Sequence, residues 1–557
     1  MPAIWAGYMG DDYIHHALLS ANSPIVKPPD LSVFGLFSFI NGDPERNRLL
    51  MDYSLIPWWT YAELKYAFWR PLSEMSHWLD HVLWPDSPWM MHLHNIAWYL
   101  LVLVLVSRLY RTTLSAPLAG VLALAVYALD SSHGFAVSWI ANRNALIALS
   151  FALVSLLLYM RWRREQGRRW LFVSLIALVL SLLSAESAIS VFGYMGAYAL
   201  FLDKRGPLKG VFATLPHFAV IVAWWVIYKT SGFGAANADS YYVDPVNHPI
   251  TFLGKLIERL PVLLASQWGF IPAELYGFSG QTIIGYVVGC LVVLLLLLIP
   301  VMRALSRTRT SMFWFCGMLF SILPVLTALP HDRLLFFTGI GASALVGNFF
   351  YHIYSLKHCN GAGLFNRYSR GTAHVLLAFH LVLAPLLLPL MTYSTKVWAS
   401  LIPHQPSYFS GIKDIESKRI VLFSPPIASA MVIGPLRFYR GEVMPDRLWT
   451  ITTLNDGLSF SKPDDSTLQI ARAEGFLQGQ AEEAFRNFQE QPLVEGESVT
   501  LSGLKIVMKD LNNEGKPTRL LLHFDRPLSD ESLLFLKWDN EENRYQKLNI
   551  NSAYEAD

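Results

Sequence analysis

The sequence predicts a polytopic α-helical membrane protein of about ten spans that ends in a β-rich soluble domain. Three observations carry this expectation: the composition, the recurrence of apolar runs, and the placement of basic residues between them. Of 557 residues, 53% are hydrophobic and 15% charged, against about 25% charged in an ordinary soluble domain. Runs of roughly spanning length, about 17 to 25 residues, occur at 89–107, 114–130, 143–160, 171–187, 188–202, 212–230, 282–302, 312–329, 334–354 and 373–393. The basic stretches Arg108 to Arg111, Arg161 to Arg169, Asp203 to Lys209, Arg303 to Arg309 and Lys357 to Arg370 fall on alternate connections. The positive-inside rule then gives a single self-consistent orientation in an inner (plasma) membrane.

With those loops inside, the outside receives residues 1–88, Asp130 to Asn142, the Glu186 turn, residues 231–281, Pro330 to Arg333 and everything after 394. The expected domains are an extracytoplasmic first loop with amphipathic helices (1–88), a transmembrane bundle (89–393) and an extracytoplasmic β-rich domain (394–557). Residues 1–88 carry many charges and no signal peptide, and Pro2 to Tyr8 reads as the end of a helix. A span preceding this loop is therefore expected. A formal net charge of +2, spread in short basic bursts, lacks the continuous basic face that nucleic acid requires. Cys290 and Cys316 lie in apolar runs and Cys359 in a basic loop, so no disulfide framework or thiolate metal site is implied.

Along the chain, the first unusual element is Gly10-Asp11-Asp12-Tyr13. Two adjacent carboxylates can act as a general base, position an acceptor hydroxyl or bind a divalent cation. In extended chain, neighbouring side chains point opposite ways, so one acid is expected to work and the other to be structural; a solvated turn or helix cap is the alternative. In Phe68-Trp69-Arg70-Pro71-Leu72, the arginine suits bidentate pairing with a phosphate. His77, Asp80 and His81 share a face if helical, a spacing open to a metal or to the polar side of an interfacial helix. Met91-His92-Leu93-His94-Asn95 enters the first clear span.

The loop that begins Asp130-Ser131-Ser132-His133 returns to the membrane through Trp139-Ile140-Ala141-Asn142-Arg143-Asn144, with Asn142 a predicted helix cap. His133 is a candidate ligand contact, and Arg143 sits where a lipid phosphate or an ordinary headgroup would lie. Glu186 interrupts a long apolar stretch, where an acid either serves function or marks a turn between short spans. The loop 231–281 offers Tyr241-Tyr242-Val243-Asp244 and Gln267-Trp268-Gly269; such aromatics suit sugars and equally populate membrane interfaces. His331-Asp332-Arg333 brings another arginine for a lipid phosphate. No cofactor is expected, since a divalent cation at the aspartate pair is chemically feasible but nothing else indicates one.

After residue 394 the pattern becomes β-type, with runs at 419–423, 467–470, 499–507 and 520–524 and a segment 481–488 that is helical or loose. No catalytic motif stands out there, and no repeat of 20–50 residues occurs anywhere.

Taken together, the acidic pair, Arg70-Pro71-Leu72 before a short polar stretch, His92-Leu93-His94-Asn95 and Asn142-Arg143-Asn144 resemble GT-C type membrane glycosyltransferases, nearest to the protein O-mannosyltransferase-like group. The order Trp139 to Asn144, Gln267-Trp268-Gly269 and Asp332-Arg333-Leu334 is also similar to a set of uncharacterised bacterial multi-span proteins. The resemblance covers residues 1–393 and implies a GT-C-like fold, a polyprenyl-phosphate-linked sugar as donor and an acceptor outside the bilayer. In such enzymes a first-loop acid is the catalytic group, here Asp11 or Asp12. Arg70, Arg143 and Arg333 are then candidates for the lipid phosphate by charge and side, with His133, Glu186 and Trp268 completing the substrate-binding set. The chain departs from the group in lacking the first span and in ending in a β-type domain rather than repeats. The partners implied are the lipid-linked sugar, the bilayer and an envelope glycan, lipid or protein acceptor, with no nucleic acid. Two other classes stay open: a transporter or flippase of a lipid-linked precursor, although no related halves are visible, and a non-catalytic envelope assembly protein.

Overall fold

The computed structural model describes residues 2–20, 23, 34–238, 241–305, 308–354, 364–401, 409, 411–425, 427–454, 456–478, 480–539, 541–542, 544–548 and 550. Cys359, with the rest of 357–363, lies outside the described residues, and the second half of the expected Lys357 to Arg370 loop is the start of the Leu364–Leu377 helix. The chain forms two compact units.

The helical unit comprises Met1–Gly7, Phe68–Phe233 and Val243–Lys396. Among the described residues, six helices are long and apolar enough to cross a membrane: Pro88–Thr113, Ile140–Glu165, Pro207–Thr230, Gly280–Leu305, Arg309–Thr327 and Leu364–Val397. The pair Pro117–Ala128 and Ser132–Ser138, bent by 56°, makes a seventh if counted as one span. The chain is thus a multi-pass membrane protein. Prolines open the Pro71–Leu83, Pro88–Thr113, Pro117–Ala128, Pro207–Thr230 and Pro249–Gly269 helices. There the missing N–H would have no intrahelical partner anyway.

All ten apolar runs are helical, but three do not meet the length and apolarity of a lipid-exposed span. Arg168–Leu182 has 15 residues and Val191–Phe201 has 11, with the turn Glu186–Ser190 between them. Phe336–Tyr354 has 19 residues, yet every one from Phe336 to Gly347 is buried. A helix sheathed by other helices meets no lipid, so it tolerates Thr338, Gly339, Gly341 and Ser343. Small residues in turn permit close approach: a Cβ on Gly347 would lie 2.4 Å from Ala123 N. The opposite case is Gly280–Leu305, with mean hydropathy 2.9 and only 17% of its apolar window buried. The Leu364–Val397 helix is interrupted by a π-helical turn at Ala378–Leu383 that carries the buried His380.

The sheet unit comprises Tyr8–Ala67, Gly234–Tyr242 and Val397–Asp557. The first loop is therefore divided between Ala67 and Phe68, where one domain was expected over 1–88. Its earlier part forms two helices, Asp11–Leu19 and Pro44–Met51, and two strands, Ser38–Asn41 and Lys65–Ala67, joined antiparallel by Gly234–Ala236. Indole and carboxylate contacts tie it to the C-terminal strands: Trp58 Nε1 donates to Ile451 O at 2.8 Å, and Asp52 Oδ1 accepts from Trp449 Nε1 at 3.1 Å.

A five-stranded antiparallel sheet runs Ser459–Asp464, Thr467–Ala471, Pro517–Phe524, Leu504–Leu511, Ser498–Leu501. The pairs Leu520↔Met508 and Leu522↔Ile506 place buried residues on one face at the period of two that β structure imposes. A four-stranded sheet runs Arg544–Lys547, Leu533–Asp539, Arg419–Phe423, Arg447–Thr452. Its Arg419–Phe423 strand is parallel to both neighbours, and Ile427–Tyr439 supplies the helical crossover that a parallel pair needs. The segment expected as helical or loose opens with a short helix, Gln480–Glu483.

Candidate functional site

Arg70 stands at the N-cap of Pro71–Leu83 and donates from Nε and Nη2 to Glu186 Oε2, at 2.9 and 2.7 Å. Tyr228 OH donates to the other carboxylate oxygen at 3.3 Å. The start of this helix is pinned to the break before Glu186, because Ser73 Oγ donates to Ser184 O at 2.8 Å and Leu72 N to Leu183 O at 3.0 Å. Two residues predicted separately as substrate contacts thus form one ion pair.

Arg143 is fully buried and its guanidinium is occupied by the protein. It pairs with Asp80, donates from Nε to Asn95 Oδ1 at 2.5 Å, from Nη2 to Met91 O at 3.0 Å and from Nη1 to Ser76 Oγ at 3.1 Å. Those bonds join three helices through one guanidinium. Asp80 also contacts His94 Nδ1 at 2.8 Å, while Trp98 Nε1–H donates to His94 Nε2 at 3.1 Å. The ring therefore accepts at Nε2 and donates at Nδ1. His77, Asp80 and His81 do share one helix, but Asp80 is committed to Arg143 and His94. Among the described residues no group of three or more His, Cys, Asp or Glu side chains is arranged to hold a metal ion. Asn142 occupies the N-cap position of Arg143–Glu165 without a side-chain capping bond.

His133 is buried, its ring stacked on Phe336 with centroids 4.5 Å apart and its Nδ1 3.1 Å from Tyr99 OH. Gly134 beside it lets the Leu364–Val397 helix approach: an added Cβ would sit 2.9 Å from Leu388 O and 3.0 Å from Met391 Cβ. Trp268 is fully buried in the core. Its neighbour Gln267 makes the polar contact instead, donating to Asp130 Oδ2 at 2.7 Å. Adjacent helical residues point about 100° apart, so a dipeptide singled out as one motif splits into a core residue and a hydrogen-bond donor.

The turn before Phe336 gathers a cluster of which Arg333 alone is a predicted substrate contact. Glu274 Oε1 lies 2.7 Å from His331 Nδ1 and accepts from Asp332 N at 3.0 Å. Asp332 Oδ1 accepts from Ser266 Oγ at 2.5 Å and Ala273 N at 2.9 Å. Burial, with the neighbouring Glu274 carboxylate, pushes the Asp332 carboxyl up to about 7. The Arg333 guanidinium lies over the Trp139 ring, 4.8 Å from its centroid. Its Nε is buried without a hydrogen-bond partner, and no carboxylate of the described residues forms an ion pair with it. Of the three predicted arginines, Arg70 and Arg143 are each in an ion pair, and Arg333 forms none with a described residue.

In the sheet unit, Asp11 and Asp12 lie in the first turn of Asp11–Leu19 rather than in extended chain. Asp12 is buried and its Oδ2 accepts from Met9 N at 3.0 Å, while Asp11 is half-buried. One acid is built into the turn and the other is more accessible.

Neither a protein-family profile nor a curated protein matches the chain. Among solved structures, it is similar to ArnT from Cupriavidus metallidurans in the apo state, at 13% identity over 72% of this chain and 79% of that one, with a TM-score of 0.30. It is similar also to ArnT from the same organism bound to undecaprenyl phosphate, at 12% identity over 92% of this chain and 95% of that one, with a TM-score of 0.31.

Proposed function

We propose that the chain is a GT-C glycosyltransferase that moves a sugar from a polyprenyl-phosphate donor to an acceptor outside the inner membrane, an envelope glycan, lipid or protein. The observation that carries the reading is Arg333, a cation laid on Trp139 with a buried, unpartnered Nε in a multi-pass protein. Such a group suits a lipid phosphate, which accepts charge-assisted hydrogen bonds. The resemblance of the acidic pair and of the Asn142-Arg143-Asn144 element to GT-C enzymes supports the rest.

In this reading a carboxylate takes the proton of the acceptor hydroxyl, the oxygen attacks the anomeric carbon, and the bond from that carbon to the phosphate oxygen breaks. Polyprenyl phosphate departs with the bonding electrons, and Arg333 stabilises its developing charge. The resemblance makes Asp11 or Asp12 the candidate for that carboxylate. The extracytoplasmic assignment rests on the alternation of basic loops.

The test is turnover of labelled polyprenyl-phosphate sugars by membranes containing the protein. Release of sugar to an acceptor supports transfer. Movement of intact donor across the bilayer without release identifies a flippase and overturns the reading.

A further inference from the structure

A cavity of about 820 Å³ opens in the sheet unit, where Gly411 to Lys413, the turn 528–531 and the Leu533–Asp539 and Arg544–Lys547 strands come together. Four ammonium groups from three stretches of the chain line it: Lys413, Lys418, Lys462 and Lys547. Lys418 Nζ donates to Glu531 O at 3.0 Å, and Lys462 Nζ pairs with Asp465 at 2.7 Å. Lys413 and Lys547 form no ion pair with any described residue. The carboxylates on the wall are Asp530 and Glu531, and Asp530 is turned into its own loop, accepting from Ser532 N at 2.8 Å. The cations therefore outnumber the acids, and two of them have no internal counter-ion.

The rest of the wall is mainly aliphatic, with Ile412, Leu528, Leu534 and Leu548 lining the same space. Among the described lining residues none is Asn, Gln, Trp or Tyr, the amide and aromatic groups that would read a neutral sugar. A volume of this order holds a small-molecule ligand rather than a few waters. We propose that the cavity binds an amphiphile with an anionic head, a phosphate or a carboxylate, whose apolar part lies against the aliphatic wall while Lys413 and Lys547 hold the head. This site is independent of glycosyl transfer and of Arg333.

The test uses the full chain in nanodiscs of zwitterionic lipid, carrying Arg333→Ala so that the helical unit's candidate phosphate site is silent. Dodecyl phosphate, dodecanoate, dodecanol and inorganic phosphate are titrated, with binding read by calorimetry. The expected result is saturable binding of dodecyl phosphate or dodecanoate, the tighter of the two naming the head group. It should weaken at least tenfold when Lys413→Ala and Lys547→Ala are added, with the thermal unfolding midpoint unchanged because both side chains are exposed. Dodecanol binding as tightly as the anions overturns the proposal, as does unchanged affinity in the lysine double variant. Inorganic phosphate binding as tightly as dodecyl phosphate overturns the role of the aliphatic wall.

Discussion

Arg70 and Glu186, 116 residues apart, meet through two hydrogen bonds to a single carboxylate oxygen. The pair closes the entrance helix Pro71–Leu83 onto the break between Arg168–Leu182 and Val191–Phe201. Its side chains are 17% and 26% exposed, so solvent screens it in part. A double-mutant cycle with Arg70→Ala and Glu186→Ala should give a coupling of about 1 kcal/mol, measured by thermal unfolding in detergent. No coupling would mean that the two residues act separately.

The Asp80–Arg143 pair is buried and should behave differently. Removing either partner alone leaves an uncompensated buried charge, costing about 3–5 kcal/mol. Asp80→Ala combined with Arg143→Leu should recover a large part of that loss, because the stranded charge disappears with its partner. Comparison of unfolding midpoints for the single and double variants checks this.

For transfer itself, Arg333→Ala should lower turnover about a hundredfold, the size associated with losing one donor to a developing anion. Arg333→Lys should recover only part, since an ammonium keeps the charge but loses the planar fork. Asp11→Asn should abolish transfer in a folded, membrane-inserted protein. Retention of full activity by both Asp11→Asn and Asp12→Asn would remove the acidic pair from the mechanism.

Asp332 makes the stability pH-dependent. Its carboxyl is raised from the ordinary value of 3.8 to about 7 by burial and by Glu274, so the folded protein holds this proton more tightly than the unfolded chain. The contribution is fully present below about pH 4 and is lost as pH rises through about 7. Unfolding midpoints of the native protein should therefore fall relative to those of Asp332→Asn across that window. Parallel curves for the two proteins would exclude Asp332 as the source.

Gly347→Ala tests the close packing of the sheathed helix. The added methyl would overlap the Ala123 backbone, with Cβ at 2.4 Å from its nitrogen, and overpacking of this kind costs about 1–3 kcal/mol. Gly285→Ala, at a position with open space, is the matched control.

Much of the helical unit was legible because apolar runs and opening prolines are local signals. The count of spans was not, since hydropathy alone does not separate Phe336–Tyr354, enclosed by protein, from Gly280–Leu305, exposed over most of its apolar surface. The arginines are visible as charges, but which of them is already engaged depends on partners far away: Asp80 lies on another helix from Arg143, and among the described residues no carboxylate pairs with Arg333. Glu274, Ser266 and Gln267 passed unremarked or were grouped with a tryptophan, because their significance arises only where His331, Asp332 and Asp130 come beside them. The division of the first loop at Ala67 was hidden for a similar reason. Trp58 and Asp52 find their partners almost four hundred residues later, with separations of 393 and 397.

The π-helical turn at Ala378–Leu383 acts on the chain as one residue too many. Each residue advances an α-helix by about 100°, so the segments before and after the turn are out of phase by about that angle. The single apolar stretch from 373 to 393 is in effect two stripes cut on different azimuths. The second stripe brings Leu388, Met391 and Thr392 against Gly134, and Thr395 Oγ1 within 2.7 Å of Ser138 Oγ. Deleting one residue inside the turn would realign the halves into a continuous helix and swing that whole set away from the Ser132–Ser138 helix, without altering any side chain that makes the contact.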